Sequence, residues 1–235
     1  MRDAQLQELQ RRYLDSGGVE EEAAWVGAAL RAGRLSHERV RFAAYLGSPG
    51  ARRVAPTAAR FEDLFAADWE PDVCRGSAPR FLQQVLRSTG KVAAARICAS
   101  AASVVREGVA NLGLPELLEQ FDAGLVPLHR CAAGNTGYVR LEVQRAIRSD
   151  LLRHRAQPIM PHWFCGFVLK GCLACVRGDG LGFKGAPGLV LWITRRFMNE
   201  IQDEGDPHAT RLLRRVREEV APWALQGATG DIARR

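Results

Sequence analysis

The chain has 235 residues, 47% of them hydrophobic and 25% charged. That balance belongs to a globular protein of one large domain or two small ones, and it excludes a disordered chain. The polar start, Met-Arg-Asp-Ala-Gln, has no signal-peptide core, and the longest apolar stretch, Trp163 to Val176, is interrupted by Lys170 and short for a bilayer span. A soluble, cytoplasmic protein with no membrane partner is therefore expected.

The formal net charge is +7, and the lysines are only Lys91, Lys170 and Lys184, so arginine carries most of the positive charge. Together with abundant alanine this suits the codon bias of a GC-rich bacterial genome. The functional alternative is a basic face for an acidic partner, because clustered positive charge concentrates polyanions.

Helix signals dominate in chain order. Asp3 to Leu14 reads as a helix with Leu6, Leu9, Tyr13 and Leu14 on one side, stopped by Gly17-Gly18. The acids Glu20 to Glu22 open a second helix, where negative charge complements the helix dipole, and it ends at Gly33. Ser36 is placed to cap a third, His37 to Leu46, which stops at Gly47; Ser48-Pro49 begins a fourth with proline at its first position. The short turn between the second and third predicts an antiparallel pair. The stretch from Glu22 to Gly47, Glu-Ala-Ala-Trp-Val-Gly-Ala-Ala-Leu-Arg-Ala-Gly-Arg-Leu-Ser-His-Glu-Arg-Val-Arg-Phe-Ala-Ala-Tyr-Leu-Gly, resembles the helical-hairpin motif of bacterial proteins with HEAT-like or other α-solenoid repeats. The resemblance implies packed helix pairs and carries no catalytic residue.

Further helices are expected at Phe61–Ala67, Ser77–Ser88, Lys91–Leu112, Pro115–Phe121 and Leu125–Cys131, followed by a small polar loop at 132–137. Tyr138 to Arg155 is amphipathic, with Val139, Val143, Ile147 and Leu151 at every fourth residue. Pro158 and Pro161 precede the most apolar segment, His162 to Val176. A glycine-rich loop is expected at 178–187, then helices at 187–204 and from Pro207 to about Leu225. The fold class is thus all-α, with about 10–12 helices in an irregular bundle or a short α-solenoid of antiparallel pairs. The organisation read from it is an N-terminal repeat-like region at 1–131, a C-terminal region at 138–226 packed on it, and a frayed tail at 227–235.

Three constellations bear on chemistry. His162, Cys165, Cys172 and Cys175 are spaced H-x2-C-x6-C-x2-C, which offers the soft ligands a structural zinc ion takes. However, Cys172 and Cys175 bracket Leu-Ala where a zinc knuckle turns on glycine or polar residues, and 165, 172 and 175 share one helical face, so a buried cysteine face is the simpler account. The run from Gly180 to Gly185 matches G-x-G-x-x-G, but no strand precedes it and a helix follows, unlike a dinucleotide fold. Phe183 and Lys184 are displayed in that segment and suit a partner or phosphate contact. Arg140, Arg145 and Arg148, with Arg153 and Arg155, lie off the apolar stripe of their helix, and Arg211, Arg214, Arg215 and Arg217 repeat the theme; interleaved Glu142, Asp150, Glu218 and Glu219 suit a solvated, salt-bridged face. No catalytic set is legible, and the five tryptophans read as core anchors. The expected function is a non-enzymatic scaffold or adaptor for another protein. The alternatives are a nucleic-acid-binding protein using the arginine faces, and a zinc- or nucleotide-dependent protein built around 162–188.

Overall fold

The computed structural model describes residues 3–64, 77–135, 160–177, 182–201 and 207–226. They form ten α-helices and one 3-10 turn, with no strand among them. In order these are α1 (Asp3–Ser16), α2 (Val19–Arg31), α3 (His37–Leu46), α4 (Pro49–Val54), the turn Phe61–Leu64, α5 (Ser77–Thr89), α6 (Lys91–Asn111), α7 (Pro115–Ala132), α8 (Met160–Arg177), α9 (Gly182–Ile201) and α10 (Pro207–Gln226). The protein is all-α, built of several packed helix pairs, and no described helix is long and apolar enough to cross a membrane. The amphipathic 138–155 segment and the 227–235 tail lie outside the described residues.

The chain forms two compact units: Met1–Ala66 with Arg217–Arg235, and Ala67–Val216. In the first, α2 packs mainly on α1 and α4, and touches α3 only lightly. Ser36 caps α3 by accepting from Arg39 N, and Gly47 ends that helix with φ of 105°, a left-handed conformation open to glycine. Ser48 caps α4 by accepting from Ala51 N and donates to the buried Glu22, 2.6 Å away; the other Glu22 oxygen accepts from Gly50 N at 2.9 Å. One carboxylate on α2 thereby satisfies the start of α4. Arg52 and Arg217 do the same for the end of α3, donating to the carbonyls of Ala44 and Leu46 while both pair with Glu62. Leu14, expected on the apolar side of α1, is 69% exposed; Tyr13 makes the inward contact instead, stacked on Trp25.

In the second unit α6 is nearly all small or branched apolar residues on its buried side, from Ala93 to Val109, and supports α5, α7, α8 and α9. Two expected loops are helical. Asp122-Ala-Gly124 continues α7 unbroken, because Gly124 lies directly under Leu169 of α8, a contact that outweighs the ~1 kcal/mol helix penalty of glycine. Likewise Gly182 to Pro187 belongs to α9, whose Ala186, Val190, Leu191 and Ile193 are buried; only 178–181 of the expected glycine loop lie outside the described residues.

Helices α8 and α9 form an antiparallel pair. Phe164 meets Phe197, with ring centroids 5.4 Å apart, and Gly171 meets Val190, so seven residues forward on α8 match seven back on α9.

Two substitutions test this packing. A Cβ at Gly171 would stand 2.6 Å from Val190 Cγ2, and valine is stiff within a helix. Gly171→Ala should therefore destabilise by about 1–3 kcal/mol, as overpacking does, although alanine is the better helix former; urea unfolding measures it, and a gain in stability would refute the close approach. Glu22→Ala should cost about 2–3 kcal/mol by stranding two donors, with Glu22→Gln intermediate.

Candidate functional site

All four residues of the expected metal set lie on one helix, α8. Cys165, Cys172 and Cys175 are buried on α8, and His162 lies in its first turn. Cys172 and Cys175 meet thiols from other helices: Cys98 of α6 is within hydrogen-bonding reach of both, and Cys131 of α7 feels Cys175. Cys98 was the missing member, because its partners come from a helix more than 70 positions away, beyond the reach of spacing arguments. Among the described residues no three His, Cys, Asp or Glu side chains are grouped as a metal site.

Burial governs three of the thiols, Cys98, Cys131 and Cys165. It pushes Cys98 well above its ordinary value, reinforced by the neighbouring thiols, and raises Cys131. Cys165 is pushed up to about 12, again by burial, against a smaller opposing effect of a backbone hydrogen bond. Enclosed thiols held protonated in this way, as Cys98, Cys131 and Cys165 are, are poor nucleophiles.

The arginines are equally informative. Arg140, Arg145, Arg148, Arg153 and Arg155 lie outside the described residues. On α10, Arg211 pairs with Glu107 of α6, and Arg215 is 3.7 Å from the same carboxylate. Arg217 is held by Glu62 and the Leu46 carbonyl. Glu107 and Glu62 belong to other elements, so these arginines reach beyond their own helix. Three of the four expected basic residues thus tie the fold together. The backbone of Phe183 and Lys184 opens α9, and their side chains lie outside the described set.

What remains is the outer row of α8. Proline in the first turn favours its start, and Phe164, Cys165, Val168, Leu169, Cys172, Leu173, Cys175 and Val176 are buried against α6, α7 and α9. Surrounded by three neighbours, α8 leaves one line outside: Trp163, Phe167, Lys170 and Arg177, at helical spacing of four, three and seven. Trp163, read from sequence as a core anchor, is 42% exposed, and Phe167 is 38% exposed. Their rings are 4.3 Å apart between centroids, and Lys170 Nζ lies 5.9 Å from the Phe167 ring. The register of the pair sets Trp192 and Arg196 of α9 level with residues 169 and 165 of α8; Trp192 is half-buried, Arg196 is exposed, and its guanidinium is 5.7 Å from the Trp192 ring. Both helices rest on α6, so each outer row faces away from that common support. The described residues of this surface are aromatic and cationic. No known protein family, characterised protein or solved structure matches the chain.

The thiol burial predicts an alkaline weakness. Once unfolded, Cys165 ionises near 9.0, whereas in the native state it stays protonated to about 12. Its contribution is fully present below about pH 9 and lost as pH rises toward 12, at up to about 1.4 kcal/mol per pH unit. Urea unfolding from about pH 8 to 10.5 should show a shallower loss in Cys165→Ala than in the parent chain; identical slopes would rule out the buried, protonated thiol.

Proposed function

We propose that the protein is a helical scaffold that binds another protein through the outward face of the α8–α9 pair. The observation that carries this reading is the exposed Trp163–Phe167 pair. A single exposed apolar residue is ordinary on any surface. Two adjacent large rings on the most apolar of the described helices are a different matter, since tryptophan and its aromatic neighbours are the residues that dominate protein interfaces. Both rings are held on a rigid helix locked by three neighbours, so little ordering remains to be done on binding.

The reading predicts a position-specific contact. A photo-reactive amino acid replacing Phe167, in the full chain expressed in its native host, should give a discrete protein adduct. The same group at Arg130, an exposed position on α7, should not. Trp163→Ala should abolish the adduct while leaving the melting temperature within a few degrees. Equal labelling at both positions, or none at 167, would overturn the proposal.

A further inference from the structure

Helices α6 and α8 bring three thiols together. Cys98 of α6 is within hydrogen-bonding reach of both Cys172 and Cys175 of α8, and all three are free and completely buried. Cys172 and Cys175 are three residues apart, so both stand on the side that α8 turns to α6. A buried thiol becomes half of a disulfide only where a second thiol lies against it, and Cys98 has two. Cys165 is placed differently. It lies seven residues from Cys172 along α8, about 10 Å, beyond the span of a disulfide. Cys131 of α7 lies near Cys175 and is the competing partner for that one thiol.

From this we infer that Cys98 and one thiol of the Cys172–Cys175 pair form a reversible disulfide, fastening α6 to α8, when the protein is exposed to hydrogen peroxide. One thiol sulfur attacks a peroxide oxygen, the O–O bond breaks, and water leaves with the thiol proton, giving a sulfenic acid. The second sulfur attacks the sulfenic sulfur, the S–O bond breaks, and a second water leaves. Two thiols are thus oxidised to one disulfide, and one peroxide is reduced to two waters. Enclosure sets the character of the step. Burial keeps Cys98 protonated, so the first attack is slow. After it, the neighbouring thiol is already in contact, whereas a second peroxide must enter the core, so the bond closes before further oxidation. The loop it closes is more than 70 residues long, and crosslinks across long loops restrict the unfolded chain most. Docking and oxidation are separate properties here, joined only in that α8 also bears the Trp163–Phe167 row.

The test oxidises the folded full chain with hydrogen peroxide until the thiol titre stops falling, then alkylates it and cuts it with trypsin. Cleavage after Arg96 and Arg106 puts Cys98 in residues 97–106, and cleavage after Lys170 and Arg177 puts Cys172 and Cys175 in 171–177; Cys131 and Cys165 fall in other peptides. Mass spectrometry should find 97–106 joined to 171–177, and dithiothreitol should separate them. The melting temperature of the oxidised chain should rise by about 5 °C or more and return on reduction. Cys98→Ala should lose the rise, and the Cys131→Ala/Cys165→Ala double variant should keep both the join and the rise. The map of the parent chain decides the matter even if a variant fails to fold. An unchanged thiol titre, sulfinic or sulfonic acid at Cys98, a bond within 171–177, or a bond from Cys98 to any other peptide would each overturn the inference. So would a join that runs between two chains, seen as a doubled mass on a non-reducing gel.

Discussion

Two seatings around α8 govern the second unit: Leu169 over Gly124 of α7, and Val190 of α9 over Gly171. Each removes a side chain from one helix so that a branched one from the next can lie against the backbone. Dispersion favours this close approach, because more atom pairs reach contact distance. The seatings also determine orientation. With Leu169 pointing at α7 and Gly171 at α9, and with Cys172 and Cys175 turned to Cys98 on α6, three sides of α8 are committed. The remaining side is the row of Trp163, Phe167 and Lys170. Their exposure follows from the packing of the opposite faces, and a hydrophobic preference of their own would have buried them.

The first unit is held by a different means. Its helices are short, and short helices have proportionally more unpaired backbone groups at their ends. Glu22 and Ser48 satisfy the start of α4, and Arg52 and Arg217 satisfy the end of α3. Glu62 then neutralises both arginines. Gly47 belongs to the same device. Its positive φ ends α3, and a Cβ there would strike the Arg217 guanidinium, 2.5 Å from Nε. Backbone satisfaction in this unit therefore comes from side chains far apart in sequence, Arg217 lying 171 residues from Leu46.

Local signals were legible and tertiary ones were not. The caps at Ser36 and Ser48, the stop at Gly47 and the proline at the start of α4 were readable because each acts within four residues. The helix breaks assigned at Gly124 and at Gly182–Pro187 failed for one reason. Propensity counts what a glycine or proline loses locally, whereas the outcome depended on Leu169 above Gly124 and on a buried face running from Ala186 to Ile193. The candidate site divided in the same way. Spacing placed Cys165, Cys172 and Cys175 on one helical face, as the structure has them, but spacing along one helix carries no information about Cys98. Trp163 was unreadable as a surface residue, because exposure depends on which sides the neighbours occupy.

The net charge of +7 looked like a single property and resolves into two. On α10 the arginines face carboxylates of other elements at distances where Coulomb attraction is appreciable, and at partly covered positions where screening is incomplete. Arg211, Arg215 and Arg217 thus have carboxylates of other elements beside them. The cations of the α8–α9 pair have scarcely any acid within their own helices.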